Sequence, residues 1–198
     1  MATKEQDITI NFGDMYDEDK FRELILYISD KCTDDPDYGA TKLNKILFYS
    51  EFQSYGKYGE SITKMPYFRL ENGPAPKYMK PICEQMIEDK EIVIQPKPRF
   101  NYTQHRVVPL REANLQKLNA RDITIVDEVI IALCGVNADE ISRYSHLEVG
   151  VRVASEKEEI SIIEKKDKKG QIEKIERITR GGSLLSYSRN SSNFVFPD

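Results

Sequence analysis

The apolar positions of the chain recur mostly at helical spacing. Phe21, Leu24, Ile25 and Ile28 mark one face of a helix expected from about Asp17 to Lys31. Acidic residues crowd its first turn, where the helix dipole favours them, and the loop-forming run TDDPDYG ends it. A second helix is expected to start near Thr41, with that residue as N-cap. Leu43, Ile46 and Leu47 share one face, and Phe48, Phe52 and Tyr55 widen the apolar surface. Such a helix should be covered on more than one side, and Gly56 and Gly59 close it. Pro66 to Leu70 reads as extended, and Asn72-Gly73-Pro74 as a turn, because glycine permits unusual dihedrals and proline pushes the preceding residue out of the α region. Pro76 would then open a third helix, Lys77 to about Lys90, with Met79, Ile82, Cys83, Met86 and Ile87 inward.

Further on, the pattern changes to strands. IVIQPKPRFNYTQHRVVPL suggests two strands around a Pro-Lys-Pro turn, an edge hairpin because proline cannot donate to a ladder. A short helix is expected around Glu112 to Leu118, and another from Thr124 with Asp127 at the capping-box position. Val126, Val129, Ile130 and Leu133 form its stripe and Gly135 stops it. Asn137 and Glu140 then frame a short helix from Ala138 to about Ser145. After Val153, EEISIIEKKDKKGQIEKIERI fits a hairpin turning at Asp167 to Gly170, and Ile172, Ile175 and Ile178 also fit a helix. Residues 1 to 13 have no clear period and are expected to be a loose arm. The Ser/Asn/Gly-rich tail is expected to be loose or partner-dependent. The fold class implied is α+β: a mostly helical domain with a small antiparallel hairpin or sheet. The expected division is an arm at 1–15, a main domain at 16–160 and an extension at 161–198.

Composition narrows the class. With 198 residues, 39% hydrophobic and 31% charged, the chain is long enough for a sizeable core and too apolar for disorder. No apolar run approaches the roughly 18 residues of a membrane span. The first residues lack the apolar core of a secretory signal, so a cytoplasmic protein is expected. Cys32, Cys83 and Cys134 are odd in number and widely spaced, which suggests buried thiols in a reducing compartment. The net charge is −4, but unevenly spread: −7 over residues 1–40, +5 over 41–111 and −2 over 112–198. The basic middle could steer an acidic partner, or the opposed charges could neutralise each other within the fold.

Catalytic signatures are missing. The chain has no P-loop, no dinucleotide fingerprint and no nucleophile elbow. Its two histidines, His105 and His146, are 41 residues apart, and no Cys or His pair has metal-finger spacing, so neither metal nor cofactor is expected. Ser145-His146 are neighbours in sequence, which favours a helix-end packing role over a nucleophile and base. Glu84 and Glu88 suit a solvated helix face, and Lys165 to Lys169 a solvated turn.

The order of certain short segments carries more. Lys42-Leu43-Asn44-Lys45-Ile46-Leu47-Phe48-Tyr49 resembles the K-L-x-K-L-L-Y-Y helix of the Panacea domain, the SocA-like antitoxin family. Tyr58-Gly59-Glu60-Ser61-Ile62 resembles its Y-G-x-x-I segment, Asn72-Gly73-Pro74-Ala75-Pro76 its Y-G-P-V-P turn, and Ser145-His146 its late S-H pair. The segments stand in the family's order across roughly residues 16 to 160. Asn72 replaces an aromatic, Ala75 a frequent valine, and there is no Trp after Ser145-His146. The resemblance implies a bacterial or phage protein that neutralises a cognate protein toxin by direct binding, without enzymatic activity. In one branch it implies delivery of the toxin to a housekeeping protease. Many members add an N-terminal DNA-binding module. With about fifteen residues before the first helix, none is expected here, and nucleic acid becomes an improbable partner.

On that resemblance the partner-binding candidates are Lys42, Lys45, Tyr49, Tyr67, Arg69, Asn72, Gly73, Pro74 and His146. Leu43, Ile46, Leu47, Phe48 and Phe52 are assigned to the core. For Lys42 and Lys45 the competing reading is a solvated face, and charge reversal at both is expected to weaken binding without unfolding. For Gly73 and Pro74 the competing reading is a backbone requirement. Three other functions compete: a DNA-binding regulator, in which helices and hairpin form a winged arrangement; a phage anti-defence binding protein; and a hydrolase around His146. The sequence carries no signal of oligomeric state.

Overall fold

The structure is a computed structural model that describes residues 8–10, 16–99, 102–147, 160–166, 172–178 and 185–187. Helix α1, Glu18–Lys31, starts at Asp17, whose carboxylate accepts from Lys20 N at 2.9 Å. It buries Phe21, Leu24, Ile25 and Ile28, as their spacing requires, and Leu26 as well. Helix α2, Ala40–Tyr58, is the central element and is buried along most of its length. Its N-cap is Gly39, two residues before the expected Thr41. A Cβ at Gly39 would lie 2.7 Å from Gln104 Cγ, so close packing selects the residue there. At the other end Gly59, with φ 75°, caps the helix in the left-handed region and donates to Tyr55 O at 2.8 Å.

A tight hairpin follows. Strands β2, Tyr67–Leu70, and β3, Gly73–Pro76, pair antiparallel with Leu70 opposite Gly73. Pro76 therefore belongs to β3, and α3 is shorter than expected, Met79–Glu88. Lys77 N donates to Pro66 O at 2.8 Å, extending the hairpin beyond the position where the proline was expected to open a helix. Ile82 and Met86 are buried, but Ile87 is 42% exposed, which corrects its inward assignment. Ile87 lies about 100° around the helix from Met86 and so falls off the apolar stripe.

Strands β4, Ile92–Arg99, and β5, Tyr102–Pro109, form a two-stranded ribbon. The Pro-Lys-Pro segment is inside β4; the reversal comes between Arg99 and Tyr102. Pro96 and Pro98 stand two residues apart, so their missing N–H groups share one edge and both fit a ribbon with a free side. A 3-10 turn, Leu115–Lys117, replaces the expected short helix. Helix α4, Ala120–Leu133, begins four residues earlier than expected, because Asn119 and Asp122 form a reciprocal capping box ahead of Thr124. Helix α5, Ala138–Leu147, begins at Ala138 as expected, with Glu140 N donating to Asn137 Oδ1 at 2.9 Å.

A third sheet, of four strands, has the order β1-β6-β7-β8, with β1 at Ile8–Ile10, β6 at Ser161–Lys166, β7 at Ile172–Ile178 and β8 at Leu185–Tyr187. Residues 8–10 are thus a strand paired with β6, with Ile8 opposite Glu164, where a loose arm was expected. Three residues are too few to display a period. The β6–β7 pairing settles the choice between hairpin and helix in favour of the hairpin. The expected turn at 167–170 and most of the expected loose tail lie outside the described residues. Ile160 is buried with the main core, and its N–H donates to Tyr67 O at 2.8 Å. The architecture is α+β, five helices with small antiparallel sheets among the described residues.

The uneven charges meet inside the molecule. Arg111 binds Glu23 at 2.9 Å and Glu91 at 2.6 Å, Arg22 binds Glu91 at 2.7 Å, and Arg99 reaches Asp37 at 3.3 Å. Glu23 and Asp37 of the acidic opening segment are thereby paired with Arg111 and Arg99 of the basic middle. Of the cysteines, Cys32 is buried, Cys83 half-buried and Cys134 exposed, so the expectation of three buried thiols holds for the first alone.

Substitution Asn119→Ala removes the side-chain acceptor for Asp122 N and should lower stability by about 1 kcal/mol. Urea unfolding of the two proteins measures it, with the slope unchanged.

Candidate functional site at the second helix and the hairpin turn

Helix α2 directs Lys42, Lys45 and Tyr49 into the interior. Each of the two lysines is only 1% exposed. The solvated-face reading of this pair is therefore corrected. Double charge reversal would bury two carboxylates against carbonyl oxygens and should unfold the domain. A buried ammonium is tolerated only when its donors are met, and the two lysines meet that demand differently. Lys42 Nζ pairs with Asp35 Oδ2 at 2.6 Å and donates to Val136 O at 2.9 Å. It thereby ties the α1–α2 loop to the α4–α5 loop. Lys45 Nζ donates to Asn72 O and, at 3.3 Å, to Pro74 O. No carboxylate pairs with Lys45 among the described residues, and burial pushes its amine down to about 7.

The turn is built around that ammonium. Gly73 has φ 91°, a left-handed conformation favouring glycine. A Cβ there would come closer to both Lys45 Nζ and Ser145 Oγ than real Cβ atoms approach any neighbour. Asn72 O accepts a second bond, from Ser142 Oγ at 3.1 Å, and Ser145 Oγ donates to Ser142 O at 2.8 Å. The helix α2, the hairpin turn and helix α5 therefore meet at one point.

The other candidates fall into two groups. Tyr49 and Tyr67 are buried and both lie edge-on to Phe48, at centroid distances of 5.3 and 5.4 Å. Gly73 and Pro74 are buried in β3. Arg69 is half-buried and Asn72 exposed, beside Leu70 at 41% exposure. His146 lies on α5, and its side chain is outside the description. Three contributors were not singled out from sequence: Asp35, Ser142 and the Val136 carbonyl. Ser142 stands one turn before Ser145 on the same helix, which is the signal that could have found it.

Other polar groups serve the frame. Glu51, wholly enclosed, accepts from Ser61 and from Thr63, whose N–H lies 3.0 Å from Oε1. Burial raises its carboxyl above the ordinary range against those bonds. Arg106 donates to Cys32 O at 3.2 Å, Thr33 O at 2.7 Å and Asp35 O at 3.0 Å, holding the end of α1 against the ribbon. A cavity of about 300 Å³ lies between α1 and the ribbon, lined by Ser29, Thr33, Gln95, Lys97, Arg106 and Val108 among others, away from the turn. Among the described residues no group of three or more His, Cys, Asp or Glu could hold a metal ion, and no helix is long and apolar enough to cross a membrane.

The family model described as antitoxin SocA-like, Panacea domain, matches residues 43–149, more than half of the chain. The chain belongs to this family. The Panacea span runs from α2 through α5 and so contains Lys45, the hairpin turn and Ser145, with Lys42 just before it. Neither the search of curated proteins nor the search of solved structures returned a match. Membership supplies an antitoxin-like assignment, and such a family is generally non-enzymatic.

Asp35→Ala would leave the Lys42 ammonium buried without its counter-charge and should cost about 3–5 kcal/mol. Adding Lys42→Met to that variant should recover part of the loss. Chemical unfolding of the single and double variants tests both statements.

Proposed function

We propose that this chain neutralises a cognate protein toxin by binding it directly and has no catalytic step of its own. Membership of the Panacea family is the observation that carries this reading. The geometry supports a division of labour. Lys45, Gly73 and Pro74 act from beneath by fixing the turn, Lys42 by fixing two neighbouring loops and Tyr49 and Tyr67 by packing on Phe48, because a contact through the two lysine head groups would require them to leave their buried places. Arg69, Leu70 and Asn72 would make the contact, with His146 on the adjoining helix. A rigid tip loses little conformational freedom on binding, and a few such residues usually dominate an interface. The protein would act in the cytoplasm of a bacterial or phage-infected cell, where blocking the toxin and delivering it to a housekeeping protease are both compatible with the same contact. Arg99 donates to Pro36 O and Asp37, and Arg106 to three loop carbonyls, which draws two arginines of the ribbon away from the winged DNA-binding reading.

The test is growth of cells expressing the product of the adjacent reading frame, with and without this chain. Arrest by the neighbour alone and rescue on co-expression are expected. Rescue that persists in a protease-deficient host assigns simple blocking. Leu70→Asp combined with Asn72→Asp should abolish rescue and weaken binding at least tenfold, while the unfolding midpoint stays unchanged. A harmless neighbour, or arrest that co-expression does not relieve, overturns the proposal.

A further inference from the structure

Lys45 and Lys42 are equally buried on one helix, yet among the described residues only Lys42 has a carboxylate partner. Lys45 is held by two main-chain carbonyls of the hairpin turn and by nothing of opposite formal charge among the described residues. The turn fits over it closely, since Gly73 has no room for a Cβ between Lys45 Nζ and Ser145 Oγ. The ionisable groups on the elements packed around it are Lys42 and Tyr49 within about a turn of it on α2 and Glu51, Tyr55, Lys57 and Tyr58 further along that helix, Tyr67, Arg69 and Glu71 on β2 and its turn, and Asp139, Glu140, Arg143, Tyr144 and His146 on α5; β3 has none. Among the described contacts, Glu140 is engaged with Asn137 and none of these groups forms an ion pair with Lys45. The tip itself is accessible, with Leu70, Glu71 and Asn72 exposed.

We propose that the Asn72–Pro74 turn is a proton-coupled latch: when it lifts, Lys45 enters water and its amine takes a proton from solvent, and when it closes Lys45 returns that proton. An ammonium without a counter-ion is costly under the turn and cheap in water, so the closed state prefers the neutral amine. Burial accordingly brings Lys45 down to about 7 in the closed turn, against about 10.4 for a solvated lysine. The sign follows. Above the solvated value both states carry the neutral amine, and closure is at its most favourable. As pH falls between the two values the open turn binds more protons and gains population, about tenfold per pH unit. Below about 7 both states are protonated and the gain stops. The neutral amine still has two N–H donors, enough for Asn72 O and Pro74 O. The exposed tip is therefore loosest at neutral pH and below, and tightens as the solution becomes alkaline.

Lysine side-chain NMR of the whole chain should show Lys45 titrating near neutral pH, well below the other lysines. Solvent exchange of the Glu71, Asn72, Gly73 and Ala75 amides, corrected for base catalysis, should give an opening constant that rises about tenfold per unit as pH falls from 9 to 7. Gly73→Ala strains the left-handed turn and crowds Lys45 Nζ, which disfavours closure, so in that variant Lys45 should move back toward about 10.4. Titration of Lys45 together with the exposed lysines overturns the proposal, as does an opening constant that is flat across this window. An unchanged Lys45 inflection in Gly73→Ala overturns it as well. The first two measurements need no variant.

Discussion

The central helix is enclosed almost all round, and yet it carries two lysines. That is the constraint on which the arrangement of the rest depends. An ammonium in an apolar interior is sustained only by oxygen atoms brought to it. Those oxygens come from Asp35, Val136 and Asn72, each in a connection between regular elements, and from Pro74 at the start of β3. The α1–α2 loop, the α4–α5 loop and the β2–β3 turn are thus fixed to α2 through the same type of interaction. Apolar packing of Leu43, Ile46 and Leu47 supplies the bulk of the core, but it is non-directional. The lysines are what specify where the loops must pass.

Local pattern exposed much of this fold and little of its polar interior. Helices α1, α2 and α5 were legible because their apolar spacing and end residues agree. The turn at Asn72-Gly73-Pro74 was legible because glycine and proline restrict the backbone in opposite ways. The boundary of α4 was misplaced because two acceptable capping sets overlap, Asn119 with Asp122 and Thr124 with Asp127. Only contacts from the rest of the chain choose between them: Asp122 also pairs with Lys20 at 2.7 Å, and Asp127 is used by Tyr27 at 2.8 Å. The Pro-Lys-Pro turn failed for a related reason, since a free ribbon edge admits prolines that a central strand would refuse.

The lysines were the deepest misreading, and the cause is general. A K-x-x-K spacing places two cations on neighbouring positions of one helical face, and charge alone assigns such a face to water. What reverses the assignment is non-local: Asp35 lies seven residues before Lys42, but Val136 lies 94 residues beyond it, and Asn72 lies 27 residues beyond Lys45. The aromatic and aliphatic residues interleaved with the lysines, Leu43, Ile46, Leu47, Phe48 and Tyr49, were a hint that this helix had no solvated face to offer.

This burial changes what membership of the family can convey about partner choice. The segments that carry the resemblance, from Lys42 to Tyr49, at the turn and at Ser145, are largely internal supports. Similarity in them reports a shared frame: a helix with inward cations, a glycine turn above one of them and a serine helix beside it. A toxin would meet the residues that this frame holds outward, of which Leu70, Glu71 and Asn72 are exposed at the turn. Asn72 is also a position at which the chain departs from the family's aromatic pattern. Its backbone carbonyl, not its side chain, receives Lys45 and Ser142, so the frame leaves the identity of that side chain free. A common scaffold with an unconstrained tip is an arrangement in which specificity can change without loss of the fold, because the atoms that hold the turn in place are main-chain atoms.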